Sequence, residues 1–157
     1  MLEIERKFLI EAEADEWRAQ AVRSFPIVQG YFQRGGDASV RVRITGNTAN
    51  LNIKGPGGLG RAEYTYDIPV QDAEELMSSF CGTRIVAKTR YIVPAENGLV
   101  WEIDEYHGRH AGHFTAELEL PAEDTPYNRP KWLGREVTGI PQYFNAALAE
   151  SGKWPEE

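Results

Sequence analysis

Charged residues recur at every second position through segment after segment of this chain. A β-strand is the regular element whose side chains alternate faces with that period. Near the start, Glu3, Glu5 and Lys7 fall on one face, with Leu2, Ile4 and Phe8 on the other. Over 38–45, Arg41 and Arg43 alternate with Val40, Val42 and Ile44, and over 49–54 Asn52 and Lys54 alternate with Leu51 and Ile53. Arg61, Glu63, Thr65 and Asp67 lie opposite Tyr64, Tyr66 and Ile68. Lys88 and Arg90 share a face in 84–93; Glu102 and Asp104 oppose Trp101 and Ile103; Glu117 and Glu119 oppose Ala116, Leu118 and Leu120. With a further strand over 29–34, the pattern predicts about eight strands, spaced as in antiparallel meanders and barrels. Nine Pro and 15 Gly in 157 residues suit many short strands and turns better than a helix bundle.

Helical periodicity is confined to three stretches. Residues 13–25 put Trp17, Ala21, Val22 and Phe25 on one face, and Pro26 closes the pattern. Residues 71–80 begin with Asp72 as an N-cap and Glu75 three residues on, and end before Gly82. Pro141 opens a last segment with Tyr143, Phe144, Ala147 and Leu148 before Gly152. No repeat or long linker divides the chain, so 1–157 reads as one domain of α+β class, mainly β.

Several function classes fall away on composition. A net charge of −7, from 17 Lys and Arg against 24 Asp and Glu, argues against a general nucleic-acid binder. The single cysteine, Cys81, cannot form an internal disulfide; at the end of an expected helix it reads as a small core residue. No apolar run approaches a membrane span, and the charged N-terminus lacks signal-peptide character, so the expected location is the cytoplasm.

The charged faces admit two readings. Each is the solvated side of a sheet, or together they line the interior of a closed barrel. The density of Arg, Lys and carboxylates at i, i+2 favours the second. A dry interior of unpaired charges is prohibitive, so such a channel must take a ligand that answers both signs. A polyphosphate with divalent cations does so, because Arg and Lys bind phosphate oxygens and carboxylates bind Mg²⁺.

Glu3-Ile4-Glu5-Arg6-Lys7 resembles the N-terminal ExExK signature of the CYTH proteins, the triphosphate tunnel metalloenzymes. In the same order follow Arg41-Val42-Arg43, Lys54 in LNIKG, Arg61 and Glu63 in GRAEY, Lys88 and Arg90 in AKTR, WEID ending at Asp104, and Glu117 and Glu119 in AELEL. GREVT at 134–138 is similar to the family's C-terminal part. The resemblance implies an eight-stranded antiparallel β-barrel forming a triphosphate tunnel with a few flanking helices. It also implies metal-dependent cleavage of a linear triphosphate, most simply inorganic tripolyphosphate. Where many members carry a second carboxylate after the Glu63 position, this chain has Thr65.

By that resemblance, and by the roughly 7 Å that separates i, i+2 carboxylates on a strand, Glu3, Glu5, Glu117 and Glu119 are candidate ligands for Mg²⁺ or Mn²⁺. Asp104 is a further one and Glu102 a weaker one. Lys7, Arg41, Arg43, Lys54, Arg61, Lys88 and Arg90 are candidate substrate ligands, with Arg41 and Arg43 clamping distal phosphates. A lysine among arginines loses its proton more easily, which makes Lys88 the candidate general base and Glu63 its orienter. The family also contains adenylate cyclases and thiamine-triphosphate hydrolases, and a non-catalytic polyphosphate or nucleotide receptor is the reading from another class. No segment is set aside for a base pocket, which favours a substrate without an organic group. The expected partner is a small-molecule triphosphate, with no membrane contact; a homodimer is left open. The glycine-rich stretch 55–60 lacks the GK[ST] ending of a phosphate loop and reads as a hairpin. His107, His110 and His113 read as turn residues before a metal site, and Trp17, Trp101, Trp132 and Trp154 as packing residues.

Overall fold

The computed structural model of the chain describes residues 4–11, 13–33, 38–55 and 62–156. Glu3, Arg61 and the expected hairpin over 56–60 lie outside the described residues. Nine strands form one antiparallel sheet: β1 (Ile4–Ile10), β2 (Arg23–Tyr31), β3 (Ser39–Thr45), β4 (Thr48–Lys54), β5 (Glu63–Ile68), β6 (Ile85–Pro94), β7 (Val100–Tyr106), β8 (Phe114–Leu120) and β9 (Leu133–Glu136). Their spatial order is β5-β4-β3-β2-β6-β7-β8-β1-β9. The ninth strand comes from GREVT; it pairs Glu136 with Phe8 and Leu133 with Ile10. That strand occupies the free edge of β1, and among the described residues no ladder joins β5 to it or to β1. The barrel is therefore an open, curled sheet and not a closed ring.

Register carries the polar residues onto one face. Lys54 stands opposite Ser39, Arg41 opposite Asn52 and Arg43 opposite Asn50; Gln29 stands opposite Arg43 and Tyr31 opposite Arg41. The face continues through the pairs Lys88–Tyr106 and Arg90–Asp104, Glu102–Glu117 and Lys7–Glu117. Residues on it are as deeply buried as the apolar ones behind it: Lys88 is 1% exposed and Gln29 and Asp104 are 0%. Burial on both sides of one sheet requires that the sheet curl around its polar face.

The outer face holds two apolar clusters. Phe8, Trp101, Ile103, Leu118 and Trp132 pack beneath Trp17, which belongs to α1 (Glu16–Gln20). Val42 and Ala49 pack against Ala73, Met77 and Cys81, carried by α2 (Val70–Leu76) and the π-helical turn Met77–Cys81 that extends it. A third cluster lies on the polar side. There Leu148 and Ala149 of α3 (Asn145–Ser151) meet Val86 and Tyr106, so the C-terminal segment plugs one end of the channel.

Two helices differ from expectation. The 13–25 helix shrinks to α1, because Val22 N–H donates to Ile92 O at 2.9 Å and Arg23–Gly30 then pair with β6. Ladder bonds outweigh helical periodicity there, and Val22 is left exposed. Pro26 sits inside β2 without loss. Its carbonyl accepts from Gly46 N–H at 3.0 Å, so its nitrogen faces the same side, beyond the start of the β2–β3 ladder at Ile27. In α2 the N-cap is Pro69, with no side-chain cap bond. Asp72 stands in the first turn, where its charge still favours the helix N-terminus.

Gly30 marks the tightest approach between sheet and α2 layer: a Cβ there would lie 2.8 Å from both Cys81 Sγ and Ile85 Cδ1. Gly30→Ala is expected to destabilise the fold by about 1–3 kcal/mol through overpacking, read as a lower urea midpoint with an unchanged slope.

Candidate active site

The polar face is divided by charge. Arg41 and Arg43 on β3 and Lys88 and Arg90 on β6 make its basic half. Glu102 and Asp104 on β7, Glu117 and Glu119 on β8, and Glu5 on β1 make its acidic half, with Lys7 set among them. In β3, β6 and β7, β-branched or aromatic residues alternate with these charges, and in β8 the alternating residues are Ala116, Leu118 and Leu120.

Asp104 joins the halves. Arg90 donates to it through Nε at 2.8 Å and Nη2 at 3.0 Å, and Lys88 Nζ stands 2.9 Å from Oδ2. Arg90 Nη1 also reaches Glu102 at 2.9 Å. Burial alone would raise the Asp104 pKa, but the charges of Lys88 and Arg90 hold the carboxyl well below the usual range. Both Asp104 oxygens are thus engaged by cations, which leaves it poorly placed as the metal ligand the sequence suggested.

Lys88 lies the other way. Burial lowers its amine most, the charges of Asp104 and Glu117 raise it and those of Arg90 and Arg43 lower it, and together they bring it from 10.5 to about 8. Its second polar partner is Asn145 Oδ1 at 3.2 Å, from the plug. Lys7 Nζ donates to Tyr143 O at 2.7 Å and faces Glu117 at 3.7 Å. Glu63 accepts from Asn52 Nδ2 at 3.0 Å and stands 3.8 Å from Lys54 Nζ, with β4, β3 and β2 between its strand and that of Lys88.

In the acidic half, Glu5 and Glu117 share a hydrogen bond. That bond, burial and the charges of Glu117 and Glu102 push Glu5 up to about 8. Against burial, the bond from Glu5 and the charge of Lys7 hold Glu117 low. Glu5 itself is exposed to solvent, and the two opposite directions favour one proton shared between the carboxyls over two full negative charges. Two carboxyl groups held this close are oxygen donors of the kind a hard divalent cation takes, with the cation replacing the proton. Among the described residues no three His, Cys, Asp or Glu side chains form a ready-made cage; Glu119 is exposed at the rim. His107 meets Thr89 Oγ1 at 2.8 Å, His110 is buried, and His113 stacks on Trp154 at 4.4 Å, so these three do not converge.

Tyr31 and Tyr106 also line this face, as do Gln29, Thr115 and Asn145, which the sequence alone does not single out. Period two over 27–31 places Gln29 and Tyr31 together; nothing local announces Asn145, which arrives with the plug.

This arrangement has known counterparts. The CYTH domain model matches residues 1–149. The chain belongs to the CYTH family. The inorganic triphosphatase of Acetivibrio thermocellus is 40% identical to this CYTH chain over 150 residues, covering 95% of it and 94% of the relative. The inorganic triphosphatase of Nitrosomonas europaea is 36% identical over 154 residues, covering 96% and 99%. The crystal structure of the inorganic triphosphatase NE1496 shares the CYTH fold with a TM-score of 0.75 at 32% identity, covering 95% of each chain. Among the described residues no helix is long and apolar enough to cross a membrane.

Asp104→Asn leaves Lys88 buried without its nearest counter-charge and Arg90 with Glu102 alone. It is expected to cost about 3–5 kcal/mol in chemical denaturation. Because the Asp104 pKa is depressed when folded, its contribution is full above the ordinary value of 3.8 and is lost as pH falls toward the depressed one. The gap between wild type and variant should therefore narrow in acid.

Proposed function

We propose that this chain hydrolyses inorganic tripolyphosphate to pyrophosphate and orthophosphate with Mg²⁺ or Mn²⁺. The observation that carries the reading is the divided polar face, four buried or half-buried cations facing a carboxyl pair across one channel. Its relatives' named activity supports the same choice. Divalent-metal dependence is general in CYTH triphosphatases.

Arg41 and Arg43 grip phosphate oxygens, with Arg90, Lys54, Lys7 and Arg61 reducing the charge that repels a nucleophile. Glu5 and Glu117, with Glu119 at the mouth and Glu3 joining them on the family motif alone, would hold the divalent ion, which would supply further positive charge to the phosphates and acidify water. Asp104 is assigned here to Lys88 and Arg90 and not to the metal. Lys88, neutral above about pH 8, takes the proton of the attacking water. Its orientation comes from Asp104 and Asn145, the role first expected of Glu63. The plug closes the channel beside Lys88 and leaves a bare phosphate chain as the simplest occupant.

Phosphate release from tripolyphosphate, ATP and thiamine triphosphate, each with Mg²⁺, Mn²⁺ or EDTA, tests the reading. Tripolyphosphate with metal should be the best substrate; release from none rejects hydrolysis, and cyclic AMP from ATP indicates a cyclase. Lys88→Ala should lower kcat by about 10²–10⁴ with a much smaller change in KM, and equal effects on both would reject the base. Wild-type kcat should rise with pH through about 8, as the amine deprotonates.

A further inference from the structure

Gln29 is an uncharged side chain wholly enclosed at the centre of the basic half, at 0% exposure. It stands opposite Arg43 on β3 and Val86 on β6. Arg43 Nε donates to Gln29 Oε1 at 2.9 Å, and Gln29 Nε2 donates to the Tyr31 hydroxyl at 2.8 Å. The direction of this chain is forced. A guanidinium nitrogen can only donate, so the amide oxygen must face Arg43 and the amide nitrogen must face Tyr31. Tyr31 then accepts from Gln29 and keeps its own proton for another acceptor.

The consequence for Arg43 is orientation. Among the described residues it makes no ion pair, and burial together with the charges of Arg41 and Arg90 lowers its pKa to about 10. A guanidinium in such company would swing away from its like-charged neighbours unless held. The bond to Nε holds it at the inner edge of its fork and leaves both terminal nitrogens for an incoming anion, the geometry a bidentate phosphate grip needs. A carboxylate at position 29 would hold the fork equally well but would cancel its charge; a neutral acceptor keeps the charge for the substrate.

We infer that Gln29 is a positioning residue, which presets the Arg43 fork and the Tyr31 hydroxyl as donors to the phosphate chain. The inference rests on reading Arg43 as a substrate ligand.

Two near-isosteric variants test it, Gln29→Met, which loses both bonds, and Gln29→Glu, which keeps the acceptor for Arg43 but adds a negative charge and cannot donate to Tyr31. KM for tripolyphosphate with Mg²⁺, and the Kd of tripolyphosphate in EDTA by calorimetry, are measured beside Arg43→Ala. Gln29→Met should raise both constants roughly tenfold, the scale of one charge-assisted bond, with kcat changed much less. Gln29→Glu should raise them more. A role in packing alone predicts lower melting temperatures with both constants within about twofold of wild type, and that result overturns the inference. Should Gln29→Met fail to fold, Gln29→Asn, whose shorter side chain draws the amide away from Arg43 Nε without adding charge, decides by the same criterion. Arg43→Ala separates the failures: if it leaves both constants unchanged, the reading of Arg43 as a ligand is wrong; if it raises them while the Gln29 variants do not, only the positioning role is.

Discussion

Three ionisable groups, Lys88, Arg90 and Asp104, sit where water hardly reaches, and the rest of the channel is arranged around their mutual contacts. One carboxylate takes three contacts from two cations, with distances of 2.8 to 3.0 Å. Removing charges from water is costly unless their geometry is good and their remaining hydrogen-bonding capacity is met. Here one negative charge serves two positive ones, so the cluster stays net positive. That surplus, enlarged by Arg41 and Arg43, is what an anionic ligand answers.

The opposite wall has the opposite imbalance. Glu5 and Glu117 are close enough that one of them keeps its proton. A channel with surplus positive charge on one side and a protonated acid pair on the other is electrostatically incomplete in two complementary ways. A polyphosphate with a divalent cation would answer both, since carboxylates are the oxygen donors such a cation takes and phosphates the anions that arginine and lysine bind. The C-terminal plug contributes uncharged acceptors, the Tyr143 carbonyl and the Asn145 amide, that satisfy Lys7 and Lys88 without neutralising them.

Much of this was legible before any coordinates. Alternation in 38–45 and 84–93 is strong because the charges are dense and their opposite-face neighbours are Val, Ile and Tyr. Errors arose where a local signal competed with pairing. Trp17, Ala21, Val22 and Phe25 have helical spacing, yet Arg23–Pro26 are drawn into the β6 ladder, which satisfies more backbone groups than a lone helical turn does. The strand at Leu133–Glu136 is too short for a period to show, and it exists because β1 offers an unpaired edge, reinforced by Arg6 gripping Glu136 at 2.9 Å through two nitrogens.

The order of residues along the chain was enough to establish strands and to sort charged from apolar faces, because face alternation is a local property of extended backbone. Which charge meets which was decided only by folding. Asp104 meets Lys88 and Arg90, Gln29 meets Arg43, and Asn145 reaches Lys88 from more than fifty positions away. Register between strands and the docking of the C-terminal segment are long-range, and no window of sequence contains both partners.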